Sequence, residues 1–437
     1  MRALAVQLGV AAIALAWLCP GAGAQGDLAA LQGDLSHVLS VAGSGSSGYV
    51  YDLSSRQALF SARATVLRPP ASIQKLYTAT AVLQLLGPDA RLTTSVLGSG
   101  YLDPSGTWQG NLYLRGGGDP TFGSSAFIRR HYAGLGASVS TLAARLVGAA
   151  GLRALAGSIE GDETYLNGLR GEPSSGFAPD PFLEGLLSGL AFNRGEGGLA
   201  RRSHAPAAYA ARQLLAALKA RGVGVSGSAG AATTPPAATP LAQVQSPTIA
   251  QLLGLMLPAS DNFFAETLLK DLGARFAGSG TTGAGAAVVS QTLAALGPRP
   301  RIVDGSGLSP ANRTSVYQVA SLLVALASSP LGTVLRADLA VAGRSGTLVR
   351  RMRGTAAAGR CQAKTGTLTG VSNLAGYCQS AGGHLLVFAL FNDGLRPASA
   401  HALQDHMVIT LAGSRLSSAE VAGAARRARR SAQAVAR

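Results

Sequence analysis

Ser72 and Lys75 stand three residues apart in the run RPPASIQKLYTA (68–79). Two prolines precede an apolar stretch that reads as a helix over 72–86, stopped by Gly87. The i, i+3 spacing puts both side chains on one helix face, about one turn apart. The helix N-terminus favours negative charge on the serine oxygen or on an oxyanion beside it. A serine becomes a competent nucleophile only beside a base. Lysine can be that base where burial and positive neighbours lower its pKa, whereas arginine stays charged at any working pH. That distinction matters here, because the 37 basic residues include only four lysines: Lys75, Lys219, Lys270 and Lys364. Taken alone, S-x-x-K is also an ordinary surface pair on a helix.

A second rare lysine opens the run K-T-G, where Lys364, Thr365 and Gly366 lie in a strand-like stretch. A strand glycine permits close approach of a ligand backbone. Lysine and threonine can grip a carboxylate, and a free strand edge can pair with an extended peptide. Between these two runs lies S-D-N, with Ser260 and Asn262 at a helix start. That triplet also reads as a plain helix N-cap. Singly, each run has a structural explanation. The order S-x-x-K, S-D-N, K-T-G, using two of the four lysines, has none.

The elements that must position these residues follow from periodicity. Residues 47–61 alternate around a turn-like DLSSRQ and read as a β-hairpin, with GSGSSG (43–48) before it as a flexible loop. From about 95 to 170, strand-like runs flank the helical SVSTLAARLVGAAG, and a further helix, APAAYAARQLLAALKARG, precedes a Pro/Ala/Thr-rich loop over 228–240. The run TIAQLLGLMLPASDNFFAETLLKDLG reads as two helices broken at Pro258. A strand pair around Thr369-Gly370, the apolar run HLLVFALFND and a helix from about 398 complete the chain. Residues 25–90 and 241–420 therefore read as one discontinuous α/β body, with 91–240 as an insertion. If the strands fold back at Thr369-Gly370, Cys361 lies directly opposite Cys378, at a spacing suited to a disulfide.

Composition sets the compartment. Residues 1–24 have one arginine, an apolar run and an A-x-A site, the layout of a secretory signal peptide. The apolar run is shorter than the ~20 residues a membrane span needs. A formal charge of +16 over 437 residues invites a nucleic-acid partner. The arginines are scattered and no aromatic–basic motif accompanies them, so nucleic acid is excluded. Cell-wall polymers and anionic membrane surfaces suit a basic exported chain better. The basic tail, 421–437, reads as a solvated end or as a segment resting on acidic lipid. The six histidines form no metal-binding pattern, and no cofactor is expected.

The ordered triplet is the mark of class A β-lactamases and penicillin-binding proteins. Together with GGGDPTF (116–122), GSIEGDETYL (157–166), DGSGLS (304–309), VAGRSGTL (341–348) and KTGTLTGVSNLAGY (364–377), the chain resembles the class C low-molecular-mass penicillin-binding proteins. These are the D-alanyl-D-alanine carboxypeptidase/endopeptidase family. The resemblance implies a penicilloyl-serine transferase fold (β-lactamase/transpeptidase-like), with a five-stranded antiparallel sheet flanked by helices and an inserted α/β domain. It implies peptidoglycan stem peptides as substrate, β-lactams as covalent inhibitors, and action in the periplasm or extracytoplasmic wall. By similarity Ser72 attacks the D-Ala-D-Ala carbonyl and neutral Lys75 takes its proton. Ser260 passes a proton to the leaving D-alanine, and Asn262 orients substrate and Lys75. Lys364 and Thr365 hold the terminal carboxylate, beside Gly366, while the N–H groups of Ser72 and Thr367 form the oxyanion hole. Asp162, in GDET, matches an acidic residue thought to face the amine of the peptide's diamino acid, and it also reads as a turn aspartate.

Two departures from the family stand out. GLAFNRGEGG runs quickly into APAAYAARQLL, leaving no room for a third nested domain, and Pro310 replaces a frequent arginine after DGSGLS. Two rival functions share the fold. A β-lactamase would need a glutamate to activate the deacylating water, and the acids between the last two motifs, Glu266, Asp271, Asp304 and Asp338, lie in no E-x-x-x-N pattern. A silent wall-binding sensor would not need the intact Ser72, Lys75, Ser260, Asn262 and Lys364. Lys219 and Lys270, outside any motif, are expected to tolerate arginine.

Overall fold

The computed structural model describes residues 28–195 and 205–416. The signal peptide and the basic tail expected from sequence lie outside the described residues.

The hairpin strands Ser46–Asp52 and Gln57–Ala62 form one edge of an antiparallel sheet. Next come Leu385–Asp393, Val371–Gln379 and Cys361–Leu368, and the two-residue strand Ala340–Val341 closes the other edge. The five long strands are those expected, and the short sixth is additional. Ser46–Gly48 already belong to the first strand, so the expected loop GSGSSG is half strand.

Why HLLVFALFND carries no polar alternation is clear from its two faces. Val387, Ala389 and Phe391 join a core with Tyr77, Leu252, Phe264 and Val319. Phe388 and Leu390 point the other way, onto Leu35 of the N-terminal helix Leu28–Val41 and onto Val408 and Leu411 of the C-terminal helix Pro397–Gly413. A strand covered on both faces is apolar at every position.

A second sheet is built from residues 93–245. Thr93–Leu102 pairs with Thr107–Arg115 and, on its other side, with Thr239–Gln245. The helices Val139–Gly148 and Pro206–Lys219 cover it through Leu142, Ala143, Leu214 and Leu218. Two expectations are corrected here. The stretch 228–240 carries the strand Ala229–Ala231 and opens another at Thr239, and the second sheet reaches Gln245, five residues past the expected boundary. In the first core, Leu183, Leu187 and Ala191 of the insertion pack beside Phe263 and Leu268, so the two sheets' units share buried surface.

Candidate active site

The chain enters the site through a turn held from three sides. Ser72 sits in the one-turn 3-10 helix Ala71–Ile73, which leads into the helix Gln74–Leu86. Ala71 is left-handed, with φ 48°. Such a conformation persists in a residue with a Cβ only where its surroundings over-determine it. They do so here. Asn373 donates to the carbonyls of Pro69 and Pro70 at 2.9 and 3.0 Å. Gly307 and Gly366 press against the same turn. A Cβ on Gly307 would lie 1.9 Å from the Ala71 oxygen, and one on Gly366 would lie 2.7 Å from the Pro70 oxygen and 3.1 Å from the Ser72 nitrogen. The close approach that Gly366 permits is thus that of the serine turn itself, where the sequence pointed to a ligand backbone.

Lys75 is fully buried one turn on. Its Nζ lies 2.9 Å from Ser72 Oγ, 2.6 Å from Asn262 Oδ1 and 2.8 Å from the Ser306 carbonyl. Burial lowers its pKa to about 8, against the opposing pull of Asp304 and Glu266.

The S-D-N residues occupy a helix junction. The helix Ile249–Ala259 contains Pro258 in its last turn, and the break falls at Ser260, whose left-handed backbone (φ 63°) turns the chain. Asp261 then caps the helix Asn262–Ala277 by accepting from the Phe264 N–H at 3.0 Å. Its other oxygen is ion-paired with Arg194 of the insertion. Arg194 also lies over the rings of Tyr132, Phe263 and Phe264. The Asn262 amide nitrogen donates to the Phe182 carbonyl at 2.7 Å, which turns its oxygen toward Lys75. The insertion therefore grips both Asp261 and Asn262.

Lys364, also fully buried, donates to Ser260 Oγ at 2.8 Å and to the Thr365 carbonyl at 2.9 Å. Burial, and then the charge of Lys75, hold its pKa well below the ordinary lysine value. Thr365 reaches Thr347 of the VAGRSGTL run at 2.9 Å. The short edge strand pairs only with Gln362 and Ala363. Cys361 turns its carbonyl to that edge, bonding the Ala342 N–H, so by alternation Thr365 and Thr367 direct their backbone groups to the same open side. Cys361 and Cys378 face each other in register and are joined by a disulfide.

Ser72, Lys75 and Asn262 thus form one hydrogen-bonded group and Ser260 and Lys364 a second beside it, close enough for the two lysines to act on each other, with Thr365, Gly366 and Thr367 along the rim. Asp162 is placed differently. It is 2% exposed, and its carboxylate accepts from the Thr164 N–H and hydroxyl and from the Thr234 N–H. These bonds hold its pKa down, against burial. One oxygen is bonded as in a turn aspartate, and the other ties the turn to Thr234, which lies far along the chain. After Pro310, the nearby basic side chain is Arg313, which donates to the carbonyls of Pro310 and Asn312.

Sequence reasoning missed Arg194, Asp304, Glu266 and Lys270. Lys270 is fully buried, donating to the Leu169 carbonyl at 3.2 Å. It is no surface cation, and its rarity was the signal that marked it. Only Lys219 among the lysines is exposed.

Comparison with known proteins agrees with this architecture. The chain is 30% identical over 426 residues to a D-alanyl-D-alanine carboxypeptidase of Actinomadura sp., covering 78% of this chain and 76% of that one. It is 32% identical over 377 residues to carboxypeptidase DacB of Mycolicibacterium smegmatis, covering 82% and 78% respectively. Among solved structures, penicillin binding protein 4 of Haemophilus influenzae shares the fold, with a TM-score of 0.71 at 20% identity over 85% of this chain and 97% of that one. The profile of the D-Ala-D-Ala carboxypeptidase 3 (S13) family matches residues 29–178 and 187–413, and the chain is a member of that family of serine peptidases.

Proposed function

We propose that the chain hydrolyses D-alanyl-D-alanine bonds of peptidoglycan stem peptides, as carboxypeptidase and endopeptidase, through an acyl-enzyme on Ser72. The observation that carries this is the set of partners around Lys75. A neutral amine has two protons and one lone pair. Two partners, Asn262 Oδ1 and the Ser306 carbonyl, can only accept. They take both protons, which leaves the lone pair facing the Ser72 hydroxyl.

The steps follow. Ser72 Oγ attacks the carbonyl of the penultimate D-alanine while its proton moves to Lys75 Nζ. The oxyanion is met by the N–H groups of Ser72 and Thr367. The C–N bond breaks as Ser260 gives its proton to the leaving amine, and the proton taken up by Lys75 makes good that loss. Water then cleaves the ester and regenerates Ser72. The terminal carboxylate sits against Lys364 and Thr365. A substrate carboxylate supplies the counter-charge that buried Lys364 lacks, so it favours a proton on Lys364, whose charge in turn helps keep Lys75 neutral. Asp162 has no place in this scheme, since its two carboxylate oxygens are engaged by Thr164 and by Thr234.

A β-lactam enters the same path, and its opened ring remains on Ser72. Glu266, the glutamate between the last two motifs, is fully buried and accepts backbone N–H groups, which disfavours its activating a deacylating water. The setting is extracytoplasmic: the leader 1–24 directs export to the periplasm or wall, and the basic tail suits contact with anionic membrane. The test combines two assays. Intact-protein mass spectrometry should show one slowly lost penicillin adduct, absent in Ser72→Ala, and the wild type should release D-alanine from a peptide ending in D-Ala-D-Ala. An adduct that persists in Ser72→Ala, or no D-alanine release, overturns the proposal.

A further inference from the structure

The Ser306 carbonyl that bonds Lys75 belongs to the loop Asp304-Gly305-Ser306-Gly307, and every peptide group of that loop is held. Asp304 accepts from the Gly307 N–H at 2.8 Å, from the Asn312 amide at 2.8 Å and from the Ser309 N–H at 2.5 Å. One oxygen of Glu266 accepts from both the Gly305 and Ser306 N–H groups, at 2.9 and 2.7 Å. Thr78, on the helix of Lys75, donates to the Gly305 carbonyl at 2.8 Å. Gly305 packs on the S-D-N helix, where a Cβ would lie 2.6 Å from the Ala265 oxygen. Both acids are fully buried.

One peptide unit makes the connection. The Ser306 carbonyl faces Lys75, and the Gly307 N–H of the same planar unit faces Asp304. A planar peptide cannot turn one end without the other. Releasing the carbonyl would free one Lys75 proton and let the amine rotate, so its lone pair would leave Ser72.

We propose that Asp304 and Glu266 are positioning residues for Lys75, acting through the peptide groups of Gly305, Ser306 and Gly307. The inference rests on Lys75 being the base. Its surroundings are mixed. Lys75 feels the acids Asp304, Glu266, Asp261 and Glu184, and Lys364 lies close by. Glu266 in turn feels Asp304 and Glu172 from the loops, and acts on Lys270 of its own helix. Lys270 also faces Arg170 and Glu163. Burial, and then Asp304, push the Glu266 carboxyl well above the usual carboxylate range, and burial raises Asp304 as well. Where they are ionised both favour the protonated lysine, so removing either charge should let Lys75 lose its proton at lower pH.

Acylation by a fluorescent penicillin, followed against pH in wild type, E266Q and D304N, tests this, with melting curves as the check on folding. Glutamine is isosteric and still accepts through one oxygen. Expressed relative to its own alkaline plateau, E266Q should acylate faster than wild type by up to about twofold near pH ~8, where the raised Glu266 carboxyl ionises and wild-type Lys75 is half neutral. D304N should shift the same way and also lower the plateau by about tenfold or more. An E266Q that folds and keeps the wild-type profile overturns the proposal, as does an E266Q that fails to fold, because the carboxylate would then serve stability alone. If D304N does not fold, E266Q decides. A wrong assignment of the base shows itself separately, as wild-type acylation rates in Lys75→Arg.

Discussion

Lys364 Nζ donates to Ser260 Oγ at 2.8 Å, and the other lysine of the site, Lys75, is equally buried. Burial and Lys75 hold the pKa of Lys364 well below the lysine norm, so a bound anion beside it would favour its protonated form. Binding of a carboxylate-bearing penicillin to Ser72→Ala should therefore be accompanied by proton uptake from solution. Calorimetry in buffers of different ionisation enthalpy measures this. Binding without proton exchange would contradict the assignment.

The proposed base, Lys75, would act only when neutral, and burial lowers its pKa to about 8. Acylation should rise with pH and level off above that value, losing about tenfold per unit well below it. A profile flat from pH ~6 to ~9 would contradict this.

Lys75→Arg replaces a base with a cation too wide for the cluster. Acylation should fall at least ~100-fold. Lys219→Arg, on an exposed helix end, should match the wild type in rate and melting. Lys270→Arg should not, because overpacking a closed interior costs about 1–3 kcal/mol. Stopped-flow acylation and thermal melts on the three variants compare them directly.

The site was legible in sequence where its geometry is local. Ser72 and Lys75 are joined by one helical turn, and Cys361 meets Cys378 because a hairpin register is set by its turn. Arg194 was not legible. Its partner Asp261 is 67 residues away, and only the folded insertion brings them together. Nor were Glu266 and Lys270. Their helix is buried continuously from Phe263 to Gly273, so it shows no polar face from which an inward charge could be told from an outward one. Pro258 misled for another reason: the helix runs on to Ala259 despite the proline, and the left-handed Ser260 makes the actual break.

Arg194→Ala leaves the Asp261 carboxylate largely buried without its ion pair. Breaking a buried pair costs about 3–5 kcal/mol. The variant should melt lower and acylate more slowly, as the S-D-N junction loosens. Adding Asp261→Asn should restore part of the stability, so denaturant curves for both singles and the double reveal a coupling energy. Strict additivity would show the two side chains to be independent.

The Cys361–Cys378 disulfide closes a loop of separation 17 across the strand that carries Lys364. Loop-entropy estimates give about 3 kcal/mol. Reduction, or a Cys361→Ala/Cys378→Ala double variant, should lower the denaturant midpoint accordingly. An unchanged midpoint would show that the sheet alone fixes the strand.

Three of the four lysines lie in the interior, which leaves the folded surface nearly bare of ε-amines. An amine-reactive ester applied to the native protein should label Lys219, along with the chain's N-terminus, and leave Lys75, Lys270 and Lys364 untouched until the chain unfolds. A lysine-specific protease should likewise nick the native chain only after Lys219, at a helix end where local fraying is easiest. The two pieces would stay together, because Thr239–Gln245 of one is paired with Thr93–Leu102 of the other.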